Sequence, residues 1–412
     1  MASLSKLTGA TGAINRDTLR LLLIGWTVLI ALVCVWLGWP RLRFYLTPQP
    51  ERVWVVSAAL GDPMASAAPK EVLAGLPVTL FAIVETDAGD GERRYYGPVR
   101  RARLGGPDSE PVDVEPWSSW WYDLQVLWFK VEPLYSFDNE AFSPDFVPDD
   151  IQYSDAFMLA WGFEASHAAD ISPTGDAFPR EDVGTMRFKA QAVIRDPRDR
   201  ILGEAQSVGS EGVHAEALED QPHRVTIRAS AAPLGYVTGY AGLPYVPILR
   251  QVPAEQHPTT RYLGGTILDF WIGTQRSMGA SDLPFISWEE LPEHAAMVVE
   301  EMFLGTDDVY YFSDGPLRAV TFEDVHPGDL LVIEDHVGIL YQDRSPGGGG
   351  DGILNRWDRI LGGYFEPIRD MALGDAFVSG ITVYRLPSLD GPEDAPVGAA
   401  GGAPADTPGR ER

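Results

Sequence analysis

From Leu21 to Trp39 the chain reads LLLIGWTVLIALVCVWLGW, without a charged position. At about 1.5 Å per residue, a helix of this length matches a hydrocarbon core of about 30 Å. Beyond it the period changes to two. Val53-Trp54-Val55-Val56, Leu76 to Val84, Met186 to Ile194 and His223 to Ala229 are β-branched or alternate apolar with polar residues. Such runs, separated by Gly, Pro and Asp turns, predict half-buried strands. We therefore expect an all-β antiparallel sandwich over 52–235, with an immunoglobulin-like topology by analogy alone.

The second half changes character. Thr266 to Met278 reads as a helix between Gly264-Gly265 and Gly279. Ser287-Trp-Glu-Glu290 has capping-box spacing and predicts a helix running to about Phe303. Strands are expected at Leu330–Ile333, Val337–Tyr341, Ile353–Asn355 and Ile381–Leu386. Helices followed by a small sheet make an α+β domain over 236–387. Residues 40–51 form a Pro- and Arg-containing stalk, and 388–412, rich in Pro, Gly and Ala, read as a disordered tail.

Arg16 and Arg20 flank the apolar run on one side, Arg41 and Arg43 on the other, so flanking charge alone leaves orientation nearly tied. The run exceeds the apolar part of a signal peptide and no A-x-A site follows. An uncleaved anchor through 21–39 is the reading, with 1–20 in the cytoplasm and the large remainder outside it, in the inner membrane. The lipid bilayer is then one partner. With Lys+Arg 32 against Asp+Glu 59, the net charge of -27 repels phosphate backbones and makes nucleic acid an unfavourable partner. The single cysteine, Cys34, lies in the apolar run, which excludes a disulfide framework and a multi-cysteine metal site.

Candidate chemistry is sparse. The seven histidines show neither H-x-H nor H-E-x-x-H spacing, so no metal ligands are assigned, and the absence of a Walker loop leaves no cofactor to assign. The aromatic run Trp117 to Trp128 could stack sugars, but large aromatics more often form core. The acidic stretch Asp138 to Asp150 lacks EF-hand spacing and reads as a solvated loop. Gly347–Gly350 reads as a hairpin tip.

One constellation is richer. Val325-His-Pro-Gly-Asp-Leu-Leu-Val-Ile-Glu-Asp-His336-Val-Gly-Ile-Leu-Tyr341 places a tight turn before one strand and His336 at the head of the next. This segment resembles the "PGDL…HVGIY" pattern of the NlpC-type cell-wall peptidases, whose fold is papain-like. Gly242-Leu-Pro-Tyr-Val246 and Gly265-Thr-Ile-Leu-Asp-Phe270 are similar to two upstream segments of that family, and Ile353-Leu-Asn355 falls at its third polar position. The resemblance covers about 240–386. It implies that His336 stands at the base position and Asn355 at the orienting position. Ile267 stands at the nucleophile position, with Thr266 where the family usually has Asp. Isoleucine forms no thiolate, so the resemblance implies a degenerate member without cysteine amidase chemistry. Such a protein would bind a cell-wall peptide, a glycan or an envelope protein. The alternative is an active hydrolase or transferase using another nucleophile, Thr266 being the candidate. His336 and Asn355 also have plain structural readings, as a strand-edge residue and a turn residue.

Overall fold

The computed structural model describes residues 16–87, 91–106, 108–133, 153–162, 167–168, 183–207, 222–246, 253–334, 336–362 and 368–387. The acidic stretch Asp138 to Asp150 and the tail 388–412 lie outside the described residues. Helix α1 covers Arg16–Leu46, and its apolar part, Leu23–Leu46, is long and apolar enough to cross a membrane. Pro40 sits inside this helix, which continues for more than a turn beyond it. Only Thr47-Pro48-Gln49 therefore separates the helix from the first strand.

The first domain contains β1 (Pro50–Ala59), β2 (Ala65–Ser66), β3 (Lys70–Leu73), β4 (Val78–Asp87), β5 (Arg93–Tyr96), β6 (Arg101–Arg103) and β7 (Val112–Asp113). It continues with β8 (Leu124–Pro133), β9 (Tyr153–Gly162), β10 (His167–Ala168), β11 (Gly184–Arg195), β12 (Ile201–Gln206) and β13 (His223–Arg228). One sheet runs β10-β4-β1-β2-β6-β7, with β5 also on β4; the other runs β3-β13-β11-β8-β9, with β12 also on β11. Val53, Val55, Leu80 and Val84 of the first sheet share a buried cluster with Val126, Phe188, Ala192 and Ile194 of the second. The alternation seen in the sequence thus reports two inner faces packed together. Two pairings, β3 with β13 and β2 with β6, are parallel and depart from the all-antiparallel expectation. β2 pairs into one sheet and β3 into the other, so the chain changes sheets within a few residues.

His223 ties the sheets together. Its Nδ1 faces the Ala67 carbonyl at 3.2 Å and so carries the proton, which leaves Nε2 to accept from the Ser57 hydroxyl at 2.8 Å. Burial holds this imidazole down, to about 4.

The aromatic run is mostly core. Trp117 and Trp121 meet Tyr96 edge-on, and Tyr122 and Trp128 are buried. Its exception is Trp120, 70% exposed and edge-on to Trp39 of α1 at 6.0 Å. The neighbouring Tyr122 clasps the helix end. Its hydroxyl donates to the Pro40 carbonyl (3.1 Å), and its N–H donates to the Thr47 hydroxyl (3.1 Å). The Arg43 guanidinium donates to the Trp121 carbonyl and lies 4.8 Å over the Tyr122 ring.

The second domain contains α2 (Pro233–Val237), α3 (Ile267–Ser277), α4 (Leu291–His294) and α5 (Leu373–Ala376). Its strands are β14 (Ala296–Leu304), β15 (Tyr310–Phe312), β16 (Leu330–Ile333), β17 (His336–Gln342), β18 (Arg359–Gly362), β19 (Arg369–Ala372) and β20 (Ile381–Arg385). They form one antiparallel sheet, β15-β14-β20-β16-β17-β18-β19, and α3 packs against β17. Ile267, Leu268, Trp271 and Ile272 pack with Leu330, Val332, Ile339 and Leu361. That cluster also contains the sandwich side chains, so the core is continuous across both domains.

The Ser287 capping box is present, but the helix expected to reach Phe303 ends at His294, and Ala296–Leu304 is strand. Ile353 and Asn355 form isolated bridges with Thr321 and Val309 rather than a strand. The Pro-Gly-Asp turn matches its reading closely. Asp329 N–H closes onto the His326 carbonyl at 3.0 Å, and Gly328 has φ 99°, the left-handed third position of a type II turn. A Cβ at Gly328 would lie 3.2 Å from Trp271 of α3, so this turn sits directly on the helix.

Candidate functional site

The N-terminus of α3 is where the resemblance places a nucleophile. Thr266 is the N-cap: its hydroxyl accepts from the Asp269 N–H (3.1 Å), while the Asp269 carboxylate accepts from the Thr266 N–H (2.8 Å) and hydroxyl (2.8 Å). This reciprocal box orders the first turn. Ile267 follows it at 2% exposure, inside the shared core. The position that would carry a thiolate is therefore filled by a buried hydrocarbon.

Behind the cap lies a histidine that the sequence did not single out. The Thr259 N–H donates to His257 Nδ1 at 3.3 Å, which puts the ring proton on Nε2, 3.6 Å from the Asp269 carboxylate. Phe285 stacks on the imidazole with centroids 3.6 Å apart and planes 2° apart. Burial raises the Asp269 carboxyl to about 6 and, aided by the Arg276 charge, lowers His257 to about 4. At neutral pH the pair is a carboxylate facing a neutral imidazole.

His336 heads β17 beside the β16–β17 turn, where it is half-buried and pairs in register with Ile333. Asn355 is buried in the loop before β18. Its amide donates to the Ile353 carbonyl (3.1 Å), with longer contacts to Asp351 (3.4 and 3.5 Å), and its carbonyl accepts from the Trp357 N–H (2.9 Å). These bonds use its amide within its own loop. Helix α3 packs on the face of the sheet that carries Val332, Val337 and Ile339, whereas His336 pairs with Ile333 on the other face. The structure therefore does not bring Ile267 and His336 together, and Asn355 belongs to a neighbouring turn.

That turn is organised by Asp358, which accepts from the Arg344 and Asn355 N–H groups, both at 2.6 Å. Burial, with Asp343 and Asp351 nearby, raises its carboxyl to about 7. Asp358 lies outside every motif read from the sequence; only the turn-rich composition of 343–358 hints at it. Among the described residues, no group of three or more His, Cys, Asp and Glu side chains could hold a metal ion. No protein-family model, curated protein or solved structure matches the chain.

The cap gives a pH prediction. Because the folded Asp269 carboxyl sits above its unfolded value, its contribution to stability is complete below about pH 4 and is lost as pH rises through about 6. Relative to Asp269→Asn, the wild-type protein should lose about 2–3 kcal/mol of stability between pH 4 and pH 7. Denaturant titrations of both proteins at each pH measure this, and a constant difference would refute it.

Proposed function

We propose that this chain is a single-pass protein of the inner membrane, with its large C-terminal part outside the cytoplasm. On this reading its second domain is a degenerate, papain-like relative of the NlpC-type peptidases. It binds a cell-wall peptide, glycan or envelope protein without cleaving it. The observation that carries the reading is Ile267. It occupies the first helical position after the cap, on a helix packed against the strand that His336 heads. That order of elements supports the resemblance, and the buried isoleucine removes the thiolate the chemistry needs. The apolar Leu23–Leu46 stretch supports the anchor.

The alternative nucleophile, Thr266, spends its hydroxyl on the cap, both donating to and accepting from Asp269. The non-hydrolytic reading is therefore preferred. Incubation of the full-length protein with peptidoglycan stem peptides should yield a saturable complex and no fragments by mass spectrometry. Turnover abolished by Thr266→Ala would establish the rival.

The ancestry is tested separately by Ile267→Cys in a Cys34→Ala background. A helix N-terminus stabilises a thiolate, so its ultraviolet absorbance should titrate below the free-cysteine value of about 8.5. A midpoint at or above that value would remove the family reading.

A further inference from the structure

We infer that the Ser118–Trp121 turn of the sandwich is a second membrane contact, seated in the headgroup layer of a phosphatidylcholine bilayer beside α1. The inference rests on reading α1 as a membrane span. Arg20 and Arg41 bracket its uncharged run and lie about 31 Å apart along the helix axis, close to the thickness of the hydrocarbon core. Trp39 therefore falls at one boundary of that core, the level where indoles concentrate. Trp120 meets Trp39 edge-on at 6.0 Å and so shares its depth, although it belongs to the sandwich. Trp120 is 70% exposed and Ser119 is exposed as well, so the rest of the described protein leaves this turn uncovered.

Three further contacts keep the turn at that level. The Tyr122 hydroxyl bonds the Pro40 carbonyl, the Tyr122 N–H bonds the Thr47 hydroxyl, and Arg43 bonds the Trp121 carbonyl. A turn clasped through its last residues to the emerging helix follows that helix into the interface. An indole suits the place because its ring is apolar and its N–H is met by headgroup oxygens. The partner is a zwitterionic lipid surface, since a protein of net charge -27 gains nothing from anionic lipid. Among the described residues, α1 is the one helix long and apolar enough to cross the hydrocarbon.

Site-directed spin labelling of the full-length protein in phosphatidylcholine nanodiscs tests this. The native Cys34 reports on the span itself. Ser119→Cys and Ser345→Cys, each in a Cys34→Ala background, report on the turn and on a loop of the second domain. Oxygen against nickel-chelate accessibility should place the Cys34 label deep, the residue-119 label at the headgroups and the residue-345 label in water. Trp120→Ser, a change at an exposed site, should shift the residue-119 label toward water. A deep Cys34 label with a residue-119 label as wet as that at 345 would overturn the inference and leave the span intact. A water-exposed Cys34 label would overturn the span itself.

Discussion

Replacement of Asp329 by alanine should cost about 3 kcal/mol of stability, the lower end for breaking a buried ion pair. The Asp329 side chain is 3% exposed and receives two bonds from the Arg385 guanidinium, each 2.7 Å. It also accepts from the His326 N–H at 2.7 Å, which closes the Pro-Gly-Asp turn. One carboxylate therefore fastens the turn before β16 to the end of β20, and its removal leaves three N–H donors without their acceptor. Arg385 is 36% exposed and can rehydrate, which keeps the loss from being larger. Asp329→Asn retains one acceptor and should cost about half as much, as expected for hydrogen bonds to a charged group. Chemical unfolding curves give both values. A loss below about 1 kcal/mol for the alanine variant would mean that the pair behaves as a solvent-exposed one.

Phe270→Ala should be more damaging still, by about 3–5 kcal/mol, the usual cost of truncating a buried aromatic. Phe270 is 1% exposed and stacks on Tyr240 at 5.0 Å, which stacks on Tyr262 at 5.1 Å. Arg224 lies 3.8 Å over Tyr262, and Arg228 lies 3.4 Å over Tyr236. Both arginines pair with Glu71 on β3, which places the sandwich at one end of this stack and α3 at the other. The Arg187 guanidinium adds a bond to the Tyr262 carbonyl at 2.5 Å. Because the stack and the core around it belong to both domains, calorimetry of wild type and variant should each show one transition, shifted downward in the variant. Two separable transitions would contradict the shared core.

The parts of this architecture that were readable in the sequence are those set by local pattern. The period-two runs became β1, β4, β11 and β13, and Thr266-x-x-Asp269 gave the start of α3. The misreading at 296–304 has a specific cause. Register shifts in the β14–β20 pairing, between Met297 and Val299 and again between Val299 and Met302, turn Val299 and Met302 both inward. Two buried residues three apart imitate a helical face, so a bulged strand carries the periodicity of a helix.

The α1 clasp was hidden for another reason. Tyr122 and Pro40 are 82 residues apart, and neither has an unusual local pattern. The site was legible to a similar degree. Ile267, on which the proposed reading turns, needs only a residue identity, whereas the His257–Asp269 pairing depends on how the 253–265 loop folds back. No spacing rule encodes that.

The clasp between α1 and the 120–122 segment has a mechanical consequence. With Pro40, Arg43 and Thr47 all bonded to Trp121 or Tyr122, and only three residues between helix and β1, no swivel joins α1 to the body. The helix acts as an axle. If two anchors met along one face within the bilayer, the angle between their sandwiches would be set by which residues touched. Turning the axle by one residue, about 100°, would swing both bodies by the same angle and present a different flank of each to its neighbour.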